Sequence, residues 1–160
     1  MKLNGVVVLL FFGFLFGGDI DRKLEIAGKN KKEIKRAIRK VPRQQRAGME
    51  WLINHMPEED LKVIGSRFLL DNCKLAYKAR EEYSWASEVP DSIFFEYVLP
   101  YANLNEKREN WRNDFYYRFS TVTKNATSAY HAVTILNNKM FEMVGVKYST
   151  KRPKADQAPY

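Results

Sequence analysis

Apolar positions in this chain recur three and four residues apart and almost never alternate, so the pattern predicts helices throughout. From Asp19 to about Lys40, the residues Leu24, Ala27, Ile34, Ala37, Ile38 and Val41 fall at helical spacing. Ile34, Ile38 and Val41 form a narrow apolar stripe on an otherwise cationic helix. Val41-Pro42 ends it, because proline disfavours helical backbone in the residue before it. Gln44 to Met56 predicts a second helix, with Ala47, Trp51 and His55 in one line and Leu52 beside them. Pro57-Glu58-Glu59-Asp60 has the acidic, proline-led start of a new helical turn. Gly65-Ser66 offers a break or a cap. Phe68 to about Glu82 predicts a third long helix with Phe68, Leu69, Leu75, Ala76 and Ala79 inside. Cys73 lies on the line Leu69–Cys73–Ala76, the place of a packed core thiol.

Beyond a connection at Ser84 to Pro90, Pro90-Asp91-Ser92 starts a short helix carrying Ile93, Phe94, Tyr97 and Val98, which Pro100 stops. Asn103 to Asn110 is polar loop, and Trp111 to Phe119 a short aromatic helix. Val122, Ala126, Ala129, Val133, Leu136, Met140 and Met143 alternate spacings of four and three, which predicts one helical seam capped by Gly145. Such a seam packs on its own domain or pairs with a second copy. The remaining VKYSTKRPKADQAPY is polar and without periodicity; the only strand-like stretch is Gly145–Tyr148. The expected fold is mainly α, an irregular multi-helix domain with an extended C-terminal tail.

Composition agrees, with 45% apolar and 14% aromatic residues in 160, enough for one modest core. The net charge of +8 changes the picture only once it is located. Residues 1–46 carry twelve Lys/Arg against four acids, while 47–160 hold fifteen of each. The basicity therefore belongs to one N-terminal segment, and the remainder has no net field to steer an anion. That segment contains no aromatic residue after Phe16, so it lacks a stacking platform, and nucleic acid is not expected as a partner. An acidic membrane surface met through residues 1–46 is the alternative to a merely solvated helix.

Lys2 followed by the apolar run Val6 to Phe16 reads as an export signal. Eleven residues rise only about 16 Å as a helix, against a bilayer core of about 30 Å. Cleavage after Gly18 would place Phe16 at the −3 position, where a small residue is usual, so an uncleaved signal acting as an anchor stands beside release. The expected location is periplasmic or extracellular. The expected divisions are 1–18 signal or anchor, 19–41 basic helical segment, 42–145 helical domain, and 146–160 a linker.

Candidate chemistry is sparse. Cys73 is the only cysteine, which excludes an intrachain disulfide, and its register places it among apolar residues that make a thiol inert. His55 has Glu58 and Glu59 three and four residues on, but Pro57 breaks the register, and His131 has no acidic neighbour at helical spacing. No glycine-rich phosphate loop is present, and no cofactor or metal is expected. Asn125-Ala126-Thr127 matches a glycosylation sequon, a short and frequent pattern.

From Pro57 to Phe119 the strings MPEEDL, FLLDN, KLAYKAR and above all VLPYANLNEKRENWRNDFYYRF resemble the N-terminal region of bacterial transglutaminase-like superfamily proteins, the likeness extending over roughly residues 42–160. The resemblance implies an exported protein whose papain-like core carries a Cys, a His and an Asp for thiol-dependent amide hydrolysis or transfer. Those catalytic positions would lie beyond Tyr160, and none can be carried onto this chain. It also implies a peptide or protein substrate for that core, with the present region supporting it. Trp111, Arg112, Asp114 and Tyr117, with Tyr148, Arg152 and Asp156 in the tail, are the candidates for contacting the core or lining a groove, against a purely structural role. The alternative is a stand-alone exported helical interaction module. Helices built to support a core should leave apolar surface uncovered.

Overall fold

The computed structural model describes residues 19–103 and 106–145, and among these the chain is helical with no strand. The apolar run at 6–16, the strand-like Gly145–Tyr148 beyond its first residue, and the tail with Tyr148, Arg152 and Asp156 lie outside the described residues. Two compact units divide the chain, one up to Asp114 and one from Phe115.

The first unit opens with α1 (residues 19–26), a turn through Gly28–Asn30, and α2 (Lys31–Lys40). Leu24, Ala27, Ile34, Ala37 and Val41 are buried and Ile38 half-buried, so the apolar stripe of the basic segment is part of the core. The helices α3 (Arg46–His55), α4 (Glu58–Val63) and α5 (Ser66–Glu82) follow. On α3 the buried face is Met49, Leu52 and Ile53, while Ala47 and His55 are exposed. The line Ala47–Trp51–His55 expected from spacing is thus only partly inside: Trp51 is half-buried against the core, its two line-mates face outward, and Leu52 beside them is buried as expected. The cause is Gly48: an added Cβ there would lie 2.6 Å from the Tyr77 hydroxyl and 3.1 Å from Leu99 Cδ2, so the bare backbone is what α3 presses inward. On α5 the buried set is Ser66, Leu69, Asn72, Cys73, Ala76 and Tyr77, which keeps the line through Cys73 and adds polar Asn72 and amphipathic Tyr77, while Phe68 packs half-buried against the core and Leu75 and Ala79 are half-buried.

Two polar side chains of the α2 region fix the corner between α4 and α5. Asn30 Nδ2 donates to the Leu61 and Ile64 carbonyls, 2.8 Å each, satisfying the end of α4. Glu33 Oε2 accepts from the Ser66 backbone N–H at 3.0 Å and its hydroxyl at 2.6 Å, a carboxylate at the positive end of α5. Those bonds, led by the Ser66 hydroxyl, hold the Glu33 carboxyl below its ordinary range.

After α6 (Ser84–Ser87), α7 (Asp91–Ile93) runs into a π-helical turn over Phe94–Val98, closed by Leu99 N–H donating to the Phe94 carbonyl at 2.8 Å. The wide turn leaves Phe94 and Leu99 fully buried and Tyr97 exposed. The unit ends in the first residues of α8 (Trp111–Thr123), which extends four residues beyond the aromatic helix expected.

In the second unit the seam from Val122 to Met143 is broken. The helix α8 stops at Thr123, and α9 (Ala129–Val144) starts after Ser128, whose hydroxyl accepts from the His131 N–H at 3.1 Å. A side chain that caps the following turn competes with continuation of the preceding one. Gly145, at φ +70°, ends α9 as expected.

Candidate functional site

A pocket of about 320 Å³ opens in the first unit. One wall comes from α3, where Trp51 and His55 sit one turn apart with rings stacked at 4.0 Å. His55 Nδ1 lies 2.8 Å from the Trp51 carbonyl, an acceptor only, so that nitrogen carries the ring proton. Leu52, Met56 and Pro57 continue the apolar wall, and Pro100 and Ala102 face it. The polar part is a triad from two distant stretches, Asp60 on α4 and Tyr101 and Arg108 from the segment before α8.

Asp60 is 7% exposed and Tyr101 6%. Tyr101 Oη donates to Asp60 Oδ2 at 2.8 Å, and Arg108 Nε donates to the same oxygen at 2.9 Å. Burial, with the facing Asp60 carboxylate, holds the Tyr101 phenol protonated well above its usual range. The carboxylate is therefore occupied by two donors, and its charge is matched by the guanidinium. Such a group orders the wall of a pocket rather than abstracting a proton. With the Asp60 and Arg108 charges matched and its remaining walls apolar but for the His55 ring, the pocket has the chemistry to hold an uncharged apolar or aromatic group, and its volume is at the lower end for organic ligands.

Behind this wall, the start of α8 fastens the segment carrying Tyr101. Trp111 Nε1 donates to the Tyr101 carbonyl at 2.6 Å. Arg112 Nη2 donates to the Val98 and Pro100 carbonyls at 2.7 and 2.9 Å, and its Nε to Asn72 Oδ1 at 2.9 Å. Asn72 Nδ2 in turn donates to the Leu99 carbonyl at 2.8 Å. A cation at the end of the π-helical turn meets carbonyls the helix leaves unpaired. Burial lowers the Arg112 pKa to about 10, which keeps it charged at neutral pH.

Of the candidates named from sequence, Trp111 and Arg112 thus converge on residues 98–101, Arg112 with carbonyls and an amide. Asp114 is exposed, and Tyr117, in the second unit, is 71% exposed with its ring edge-on to Tyr116 at 5.8 Å. Sequence reading passed over Asp60, Asn72, Tyr101 and Arg108. The one available signal was that Asp60 precedes the core residue Leu61 within an acidic helix start; nothing local links it to positions 41 and 48 residues away.

Cys73 is fully buried, and burial pushes its thiol up to about 12, against the partial opposition of Arg112. His55 and His131 are both exposed. Among the described residues no three His, Cys, Asp or Glu are grouped to hold a metal ion, and no helix is long and apolar enough to cross a membrane. Compared with known protein families, curated proteins and solved structures, the chain matches none.

Proposed function

We propose that this chain is a non-catalytic helical interaction module of an exported protein, docking on another protein through the outward face of α9. The observation that carries this reading is a row of exposed apolar side chains on that helix: Tyr130 at 82%, Val133 at 54%, Met140 at 38% and Phe141 at 45% exposure. At about 100° per residue these four share an arc of about 100°. The charged residues of α9, Lys139 and Glu142, lie off that arc and pair with each other at 3.4 Å. A charge-free face of this width, apolar but for the exposed Asn137 within the arc, is what a helix presents to a partner groove. Each such side chain contributes roughly 1.5–3 kcal/mol when fully covered, before the costs of association.

The resemblance of residues 42–160 to transglutaminase-like proteins supports a particular partner, a thiol-dependent amide hydrolase or transferase core acting on peptide or protein. The burial of the lone thiol supports placing that chemistry outside this chain. The apolar run at 6–16 supports export.

The test is a photo-crosslinking residue placed at Val133 or Phe141, with Lys74 on the exposed side of α5 as the control, followed by mass spectrometry in the source cell. Crosslinking to a papain-like thiol hydrolase supports the reading with its partner. One different protein captured at both α9 positions retains the module and removes the family. Crosslinking no stronger than at Lys74 sinks it.

A further inference from the structure

Every exposed residue of α2 is a cation. Around this helix Lys35, Arg39, Lys32, Arg36 and Lys40 follow one another across an arc of about 140°, and all five are exposed. The opposite side carries Ile34 and Ala37, both fully buried. The single acid of the helix, Glu33, is turned to its edge and committed to the α5 N-terminus, where it also takes Arg36 into an ion pair at 2.7 Å. Among the described residues Lys32, Lys35 and Arg39 have no carboxylate within ion-pair distance. Exposed Lys29, Arg43 and Arg46 extend the charge beyond both ends of the helix.

Folding therefore does more than inherit a basic sequence. It withdraws the one local negative charge and the apolar stripe together, leaving a cationic face about 15 Å long. Its shape argues for a broad anionic surface: the cations are splayed over a convex helix flank instead of converging on a point, as binding a single phosphate requires. No aromatic side chain is interleaved with them for base stacking. The apolar run Val6 to Phe16 precedes this face in the chain, and an apolar segment with a polybasic patch is the two-part arrangement that gives stable membrane attachment.

We infer that the exposed cationic face of α2, centred on Lys32, Lys35 and Arg39, rests on a membrane surface of anionic phospholipid headgroups. Cations near such a surface act nearly additively, each strengthening binding roughly fivefold, and the effect is screened within about 10 Å at ordinary salt.

The experiment uses the full chain, co-sedimented with vesicles of phosphatidylcholine alone or with roughly a third phosphatidylglycerol. The expected result is tighter binding to the anionic vesicles, with the preference lost as salt rises from roughly 0.05 to 0.5 M. The triple variant K32Q/K35Q/R39Q should lose roughly a hundredfold of that preference while binding neutral vesicles as before. K32R/K35R/R39K, which keeps all three charges, should retain it, and circular dichroism checks that both variants are folded. Equal binding of the wild type to both vesicle types overturns the inference, as does a triple variant that keeps the preference. Abolition by millimolar inorganic phosphate at constant ionic strength would show a phosphate site instead. Tighter binding to a DNA duplex than to anionic vesicles at the same salt would show a nucleic-acid surface. Either result overturns it.

Discussion

The hydroxyl of Tyr101 donates to the carboxylate of Asp60 at 2.8 Å across 41 residues of chain, and both side chains are almost wholly buried. The bond closes the polar side of the pocket. Removing Tyr101's hydroxyl alone leaves Asp60 its guanidinium partner, so Tyr101→Phe should cost about 1 kcal/mol. Asp60→Ala leaves a buried phenol and a half-buried guanidinium without their acceptor, and should cost about 3 kcal/mol. In the double variant the two losses should fall short of their sum, since they share one interaction. Trp51, Trp85 and Trp111 all precede Asp114, so urea unfolding followed by tryptophan fluorescence reads the first unit selectively. Additive losses would show that the pair is not coupled.

At high pH the same phenol becomes a liability. Burial raises both Tyr101 and Tyr77 above the ordinary value of 10.0, so their folded forms hold protons that the unfolded chain releases. Their stabilisation is complete below pH 10 and is lost as pH rises beyond it. The unfolding midpoint in urea should therefore fall above pH 10, and fall less steeply in a Tyr77→Phe/Tyr101→Phe variant.

Glu33 sets the opposite limit. Its pKa is lowered from 4.5, first by the Ser66 hydroxyl bond. A carboxylate depressed in the folded state stabilises above its unfolded pKa, and that contribution disappears as pH drops through the folded value. Stability should decline below about pH 4.5, and Glu33→Gln should flatten that decline. An unchanged acid limb in Glu33→Gln would mean that the Ser66 bonds hold no differential affinity for the ionised form.

Gly48 is where α3 meets Tyr77 and Leu99. Alanine would gain about 1 kcal/mol of helix propensity, yet its Cβ would stand 2.6 Å from the Tyr77 hydroxyl and 2.9 Å from Cε2 of that ring. Tyr77 is itself packed edge-on against Phe94 at 4.9 Å and has little room to retreat. Gly48→Ala should destabilise by roughly 1–3 kcal/mol, and Tyr77→Leu should recover part of that loss. Stabilisation by Gly48→Ala would show that α3 can shift outward freely.

Cys73 offers a kinetic test of the core. With its pKa raised from 9.0 to about 12, the thiolate fraction at pH 8 drops roughly a thousandfold from that ordinary thiol. Modification by a disulfide reagent should be slower than in urea by at least that ratio, since the sulfur is also covered. Rapid labelling of the native chain would indicate local opening of α5.

The longer helices were legible because each carries its own signal, such as a period near 3.6, a proline start at Glu58 or a glycine stop at Gly145, whereas the four-residue α6 (Ser84–Ser87) lies in a stretch read as a connection and is too short to show a period. The core register was less so. On α3 the spacing pointed to Ala47, Trp51 and His55 with Leu52 beside them; the structure buries Leu52 with Met49 and Ile53, keeps Trp51 half-buried against the core and leaves Ala47 and His55 exposed, because Gly48 brings its own side of the helix against Tyr77 and Leu99. The break at residues 124–128 was masked by apolar positions that keep a seven-residue beat on both sides of it. The pocket was not legible at all, since Asp60, Tyr101 and Arg108 become neighbours only after α4 and the segment following the π-helical turn are laid side by side.

By itself the sequence determined that this protein is mainly helical, that its excess positive charge lies before residue 47, and that Cys73 sits on a core line. These are local facts, set by periodicity, capping and composition. Tertiary structure alone decided that α3 turns its Gly48 side inward, that Glu33 leaves the basic surface to cap α5, and that Asp60 is shared by Tyr101 and Arg108. The reason is that burial and hydrogen bonding between distant residues depend on how helices cross, and crossing is settled by the packing of all of them at once.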